Sequence, residues 1–139
     1  MKKTYFVILC LILFYSLNAY SHGGYGSAKW WKDPDVVKQL NLTNDQVNLI
    51  EQIFDSNKDQ IADLNSQLKQ KQSEFRSKIE DPNSSRDEVL ELNDEVVQLK
   101  TKLKRLRLDM LLKIREVLTP DQRQMLHKIR FNEFKKRHQ

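Results

Sequence analysis

Few side chains in this chain are suited to metal or redox chemistry. The 139 residues include three histidines and one cysteine. His127 and His138 are eleven positions apart, about three helical turns, which is not the step of three or four residues by which a helix brings two metal ligands together. Cys10 is the only thiol and lies in an apolar run close to the N-terminus. We therefore expect no cofactor, and no metal site built from clustered histidines or cysteines.

His22 is the remaining metal candidate. If a leader peptide is cleaved after Ser21, His22 offers a free α-amine and an imidazole, a bidentate pair that suits an ion such as copper or nickel. The chain has no histidine-rich or cysteine-rich tract of the kind that a dedicated metal-storing protein needs. We prefer the simpler interpretation that His22 only follows a cleavage site.

The acidic residues do not suggest catalysis. They are numerous, but they lie on charged faces without the apolar surroundings that raise the pKa of a carboxyl group. Nucleophilic catalysis by serine, histidine and aspartate needs a pocket formed by shaped loops. The sequence predicts long helices and very little loop, so we expect that the protein is not an enzyme.

The first 21 residues have the pattern of a secretory signal peptide. Two lysines precede an uncharged apolar run over residues 5–17, and small residues follow at Ala19 and Ser21. The apolar run is too short to span a bilayer. We predict a cleaved signal peptide over residues 1–21, export of the chain, and a mature form without an integral membrane segment.

Two heptad patterns organise the rest of the chain. Each predicts a long amphipathic helix with a narrow apolar seam, and a helix of this length needs a partner along that seam. A reversal at residues 81–84 would bring the two seams together. We predict an all-α fold, a long antiparallel helical hairpin with short first and last helices. The seam residues are Val47, Phe54, Ile61, Leu68 and Phe75 in the first helix, and Val89, Val96, Leu103, Met110 and Val117 in the second.

Three capping boxes predict where helices begin. Each pairs a hydroxyl residue with a glutamine or glutamate three positions later. The pairs are Thr43 with Gln46, Ser85 with Glu88, and Thr119 with Gln122. Together with the heptads they predict helices near 34–40, 44–80, 86–118 and 120–136.

The residues before the first helix contain all three glycines of the chain. We predict a flexible mature N-terminus over residues 22–32 and a single α-helical domain over residues 33–137. Trp30 and Trp31 end the N-terminal segment. Our preferred interpretation is that they pin the first helix onto the hairpin, and the alternative is an exposed apolar contact for a partner.

Charge is distributed unevenly along the chain. Residues 22–99 contain nine basic and fifteen acidic residues, whereas residues 100–139 contain thirteen basic and four acidic ones. We expect part of this asymmetry to stabilise the hairpin, with an acidic row on the first long helix facing basic residues of the second. The acidic row is Glu51, Asp55, Asp59 and Asp63, and the basic residues are Lys102, Arg105 and Lys113.

Two matching Leu-Thr-x-x-Gln motifs flank the predicted hairpin. They are formed by Leu42, Thr43 and Gln46, and by Leu118, Thr119 and Gln122. The pair, behind a secretory signal, resembles the Spy/CpxP family of periplasmic chaperones and envelope-stress regulators, with its zinc-resistance and heavy-metal-sensor relatives. The resemblance implies a periplasmic protein that forms a cradle-shaped antiparallel homodimer without cofactor or nucleotide. The six motif residues carry over as helix-start residues, not as a reactive site.

Our first functional hypothesis is an ATP-independent chaperone that binds unfolded or misfolded envelope proteins and suppresses their aggregation. It is supported by apolar residues outside the seam, interleaved with cations, although each of them could instead bury a neighbouring helix or a dimer interface. The candidate client-binding residues are Ile53, Leu90, Val97, Lys100, Lys104, Arg107, Leu108, Leu111 and Arg115, and Leu112 and Ile114 lie among them.

The alternative is a stress or metal sensor that acts on the periplasmic domain of a histidine kinase or on an anti-sigma factor. The uneven charge suits docking on an acidic protein surface. We expect no nucleic-acid partner despite the basic C-terminal third, because the predicted signal peptide directs the chain out of the cytoplasm.

Overall fold

The computed structural model describes residues 29–137, and all the regular secondary structure in that range is helical. The all-α prediction is confirmed. The predicted signal peptide, His22, His138 and most of the predicted flexible N-terminus lie outside the described residues.

Two long helices form an antiparallel hairpin, as predicted. Residue numbers in contact fall along one helix as they rise along the other: Lys78 pairs with Glu88 near the turn, and Asn65 bonds to Arg107 in the middle. The first of the two helices has 37 residues and is about 55 Å long at ~1.5 Å per residue. A short helix precedes the hairpin, and a last helix packs against that short helix. The elements are a 3₁₀ turn Trp30–Lys32, α1 Pro34–Leu40, α2 Asn44–Glu80, α3 Arg86–Val117 and α4 Pro120–Arg137.

Local sequence explains where the helices begin and end. The Asp33 carboxylate accepts hydrogen bonds from the amides of Asp35 and Val36 at the start of α1, and Pro34 occupies the first turn. Asn41 ends α1 in the left-handed conformation, with φ of 49°, which asparagine tolerates better than most residues. Leu118 is extended, so the chain bends there instead of continuing α3 into α4.

The core is widest at the end of the hairpin opposite the turn. Along the hairpin, α3 contributes single buried seam residues such as Val96 and Leu103. At the open end, a compact cluster forms because the 3₁₀ turn and α4 join the two long helices there. Its buried members are Trp31, Ile50, Met110, Ile114 and Leu118.

The structure extends the folded region to residues before Asp33. Lys29 bonds to α2, and Trp31 is buried against Phe54, with ring centroids 5.4 Å apart. Lys29 and Trp31, at the end of the predicted N-terminal segment, are therefore held against the hairpin. Trp31 pins this segment onto the hairpin, in agreement with the preferred interpretation of the tryptophans.

The expected pairing of an acidic row with a basic row across the hairpin is wrong. Glu51 bonds to the N-terminal segment, Asp55 pairs with Lys58, and Lys113 pairs with Asp109 in its own helix. Neighbours three or four positions apart on one helix are closer to each other than to the other long helix, so they pair first. The bridges that cross the hairpin lie nearer the turn, at Lys71–Glu95 and Lys78–Glu88.

The last helix is only partly packed against the rest of the molecule. Leu126 is half-buried against the core cluster, but Met125 and Phe134 remain exposed. Between residues 29 and 137 no helix has the length and apolar character to cross a membrane.

Candidate functional site

The two Leu-Thr-x-x-Gln motifs meet at the open end of the hairpin. The side-chain amides of Gln46 and Gln122 exchange hydrogen bonds: Gln46 Nε2 donates to Gln122 Oε1 at 2.9 Å, and Gln122 Nε2 donates to Gln46 Oε1 at 3.1 Å. We call the four residues Thr43, Gln46, Thr119 and Gln122 the motif junction. Although they are 76 positions apart in the chain, the two glutamines connect the starts of α2 and α4 directly.

Each glutamine of the motif junction also completes its own capping box. The Thr43 amide donates to Gln46 Oε1 at 3.1 Å, and the Thr119 amide donates to Gln122 Oε1 at 3.0 Å. The Gln46 and Gln122 amides donate in turn to the threonine hydroxyls, at 3.1 Å and 3.2 Å. The two helix starts therefore have the same local geometry.

The side-chain amide nitrogens of the two glutamines also donate hydrogen bonds to the last backbone carbonyls of two other helices. Gln46 Nε2 donates to the Val117 carbonyl at 2.9 Å, and Gln122 Nε2 donates to the Leu40 carbonyl at 3.2 Å. Carbonyls in the last turn of a helix lack an intrahelical partner, so these bonds satisfy them. Glutamate could fill the acceptor role but has no N–H to donate. The junction therefore requires glutamine at both positions.

The motif leucines contribute packing instead of polar contacts. Leu118 is 3% exposed in the core cluster, and Leu42 is half-buried against it. Together with the capping contacts, this makes the motif junction the structural joint of the open end, where α1, α2, α3 and α4 meet.

Glu51 anchors the N-terminal segment beside this joint. Its carboxylate accepts hydrogen bonds from the Lys29 ammonium at 2.5 Å and from Trp31 Nε1 at 2.6 Å, and it pairs with Lys32 at 3.0 Å. These donors, the Lys29 ammonium first, lower the pKa of Glu51 from 4.5 to about 2. Lys29 also lies over the Phe54 ring, 4.5 Å from its centroid.

A groove with a cationic rim lies in the middle of the hairpin. It has a volume of about 420 Å³ and is open to solvent. One wall comes from α2 and the rest from α3, and apolar surface predominates. We call it the cationic groove, and it is lined by Leu68, Lys100, Leu103, Lys104, Arg107, Leu108 and Leu111.

The charges of the cationic groove are largely uncompensated. The Arg107 guanidinium donates to the neutral Asn65 Oδ1 at 3.0 Å. Lys100 and Lys104 are exposed, and neither forms an ion pair within residues 29–137. The groove therefore combines a leucine floor with positive charge that remains available to an acidic ligand.

Five of the predicted client-binding residues come together in this groove: Lys100, Lys104, Arg107, Leu108 and Leu111. Leu90 and Val97 lie nearer the turn, where they are 48% and 50% exposed. Arg115 and Leu112 are exposed further along α3.

Two residues proposed as surplus apolar surface pack at the open end of the hairpin. Ile53 packs against the core cluster, and Ile114 is 5% exposed within it. Both are covered because the 3₁₀ turn and α4 close over the open end, which the heptad pattern of the long helices could not predict. Ile114 is thus buried in the single chain, and Ile53 is half-buried and lies outside the cationic groove.

Leu68 and Leu103 are the groove residues that the sequence did not nominate. Both occupy seam positions of the heptads, and sequence reasoning assigned all such positions to the hairpin interface. Leu68 is only half-buried, so it serves the seam and the groove floor together. A residue with two such roles has no separate sequence signature.

Residues 29–137 contain no group of three or more histidine, cysteine, aspartate or glutamate side chains arranged to hold a metal ion. His22, the metal candidate of the sequence, lies outside that range.

A family model described as LTXXQ motif family protein matches residues 30–130, which include both motifs and the whole hairpin. No curated protein matches the chain, and no solved structure does.

Proposed function

The chain belongs to the LTXXQ motif family, which includes the Spy/CpxP periplasmic proteins, and from this premise we propose an ATP-independent periplasmic chaperone. In this proposal the protein binds unfolded or partly folded envelope proteins under stress and suppresses their aggregation. It acts by binding alone, without catalysis or a cofactor.

The cationic groove is the observation that carries the proposal. Unfolded chains expose aliphatic and aromatic side chains next to charged ones, and the groove offers leucines beside uncompensated cations. Lys100 and Lys104 would attract acidic segments over roughly the Debye length, about 8 Å at physiological ionic strength. Apolar contact in the groove would then hold the segment.

The size of the groove favours weak, reversible holding. Burial of one aliphatic or aromatic client side chain contributes about 1.5–3 kcal/mol. A few such contacts, less the entropy of ordering a flexible client, give dissociation constants on the order of 1 μM to 1 mM. Binding of this strength would release a client for folding without an energy source.

We infer in addition that the protein is a homodimer joined along the long helices. Three apolar residues of α3 that lie outside the cationic groove are 45–50% exposed in the single chain: Leu90, Val97 and Leu112. A second chain packed along this row would remove them from water and give the cradle shape expected for the family. Sedimentation velocity should give twice the chain mass, and a monomer at micromolar concentration would contradict the inference.

The chaperone proposal is tested by light scattering of several aggregating model clients. Protein at stoichiometric concentration should delay scattering. The double variant Lys100→Gln/Lys104→Gln and the single variant Leu108→Gln should each weaken this effect several-fold. Lys128→Gln/Lys135→Gln is the matched control, because it removes the same charge from α4.

Two results would reject this assignment. Absence of any delay with the unmodified protein would exclude chaperone activity toward these clients. Equal loss in the α4 control would show that net charge matters and that the groove does not.

The uneven charge supports one alternative, a regulator docked on an acidic receptor domain such as that of a sensor kinase. The basic residues are concentrated from residue 100 onward. Crosslinking in an envelope fraction separates the two functions: a single stoichiometric membrane partner favours regulation, whereas many captured proteins favour a chaperone.

A further inference from the structure

The last helix extends beyond its packing against the fold. Gln122, Leu126 and Arg130 join α4 to the rest of the molecule, through the motif junction, the core cluster and a contact with the Trp30 ring at 6.0 Å. Beyond them, Phe131 is 53% exposed and Phe134 is 60% exposed. Two aromatic rings at the end of a helix are unusual for a surface that only faces water.

Cations surround these rings. Lys128 and Lys135 are exposed and lie three or four positions from a phenylalanine, which places them on the same side of the helix. The Lys135 ammonium is 5.4 Å from the centroid of the Phe131 ring. From residue 128 to residue 137 the sequence contains five basic residues and one acidic residue.

We propose that this surface, the terminal patch of Lys128, Phe131, Phe134 and Lys135, binds the anionic headgroups of a lipid bilayer. The end of the helix would meet the bilayer surface, with the phenylalanine rings among the headgroups and the ammonium groups beside the lipid phosphates. Clusters of basic residues bind anionic membrane surfaces by charge, and aromatic side chains at the level of the headgroups add to this binding. The proposal is independent of the client-binding role of the cationic groove.

Area and charge favour lipid over a second protein chain. A stable protein interface buries about 800 Å² per partner, whereas two fully buried phenylalanines provide roughly 300–500 Å². The charge of the patch would also repel an identical patch on another copy. An anionic bilayer avoids both problems, because it supplies many phosphates and accepts a shallow aromatic side chain.

The expected strength follows from the number of cations. Each lysine or arginine close to an anionic membrane surface contributes about 1 kcal/mol. Removal of two should therefore weaken binding by roughly 30-fold, since 1.4 kcal/mol corresponds to a factor of ten. Binding should also fall as salt is added.

Vesicle sedimentation tests the proposal with the full chain in its exported form, because an uncleaved apolar leader would itself bind lipid. We expect sedimentation with vesicles of mixed phosphatidylcholine and phosphatidylglycerol, and little with phosphatidylcholine alone. Lys128→Gln/Lys135→Gln should reduce the affinity by tenfold or more, and Phe131→Ala/Phe134→Ala by several-fold. Both variants change exposed residues, and circular dichroism would verify that each is folded.

Lys100→Gln/Lys104→Gln is the matched control, since it removes two charges from the cationic groove and should alter lipid binding by less than threefold. Equal loss in this control, equal binding to both kinds of vesicle, or no binding to anionic vesicles would overturn the proposal. It would also be overturned if the phenylalanine variant changed self-association and left lipid binding unchanged. The chaperone assay separates the two proposals. If the α4 variants lose lipid binding and retain chaperone activity, or the groove variants lose chaperone activity and retain lipid binding, the two functions belong to different surfaces.

Discussion

The open end of the hairpin and its turn end use the same helix-start chemistry with different results. At the turn end, Ser85 and Glu88 form a capping box that faces water, with bonds of 2.8 Å and 3.2 Å. At the open end, two boxes contain glutamine in place of glutamate, and their side chains bond to each other. A charged residue suffices where a box stands alone, and an amide is needed where two boxes meet.

The open end also buries more apolar side chains than the turn end. The open end contains the compact core cluster, whereas the turn half is held by a narrow seam and by exposed ion pairs such as Lys71–Glu95. Exposed ion pairs contribute about 0–1 kcal/mol each. We therefore expect stability to be concentrated at the open end, which leaves the middle of α3 available for binding.

The largest expected effect is loss of a core side chain at the open end. Ile50 is completely buried, so Ile50→Ala should lower the free energy of unfolding by about 2–5 kcal/mol. Leu108→Ala in the groove should change it by less than about 0.5 kcal/mol, because that side chain is largely exposed. Urea denaturation followed by circular dichroism measures both. Similar losses in the two variants would remove the distinction between the ends.

The next effect concerns the paired glutamines. Gln122→Ala leaves a helix-end carbonyl and the Gln46 amide without their partner, and should cost about 1–3 kcal/mol of unfolding free energy. Glu88→Ala, in the box that meets no second box, also removes the ion pair with Lys78 and should cost about 1 kcal/mol. A double-mutant cycle of Gln46 and Gln122 should give a coupling energy of about 0.5–3 kcal/mol. Additive effects would mean that the pair acts only as two separate caps.

The helix starts and the hairpin could be predicted from the sequence, but the contact between the two motifs and the groove could not. Hydroxyl residues followed by glutamine or glutamate at the third position predicted the helix starts, because capping is chemistry within four residues. The bond between Gln46 and Gln122 depends on how four helices meet, and no local pattern encodes it. The heptads predicted the hairpin because they mark the residues that face the other helix. They could not predict the groove, because Leu68 and Leu103 fit the seam pattern whether or not part of each side chain is open to solvent.

A single helix cap should have a smaller effect. Thr119→Ala removes the hydroxyl that accepts from the Gln122 amide at 3.2 Å and should cost about 1 kcal/mol. Thr119→Ser retains the hydroxyl and serves as the control, with a loss of only a few tenths of a kcal/mol. Thermal unfolding of the three proteins measures the difference. A serine variant as unstable as the alanine variant would assign the effect to the lost methyl group instead.

The last effect depends on pH and concerns Glu51, whose side chain is 23% exposed, so solvent and salt screen its ion pairs in part. Its pKa is about 2 in the folded protein and 4.5 ordinarily. As pH falls, the unfolded chain therefore takes up this proton first. The contribution of Glu51 is complete above about pH 5 and is lost progressively toward pH 2.

Glu51→Gln isolates this contribution, because it removes the ionisable group and leaves Lys29, Lys32 and Trp31 in place. The stability difference between the original protein and the variant should be greatest near pH 7 and shrink steadily between pH 5 and pH 2. Lys29→Gln removes the largest influence that lowers the pKa of Glu51. The carboxylate should then take up its proton at a higher pH, so the stability that it contributes should disappear at a higher pH. A difference that stays constant from pH 7 to pH 2 would mean that the segment is held by Trp31 packing and that the carboxylate adds nothing.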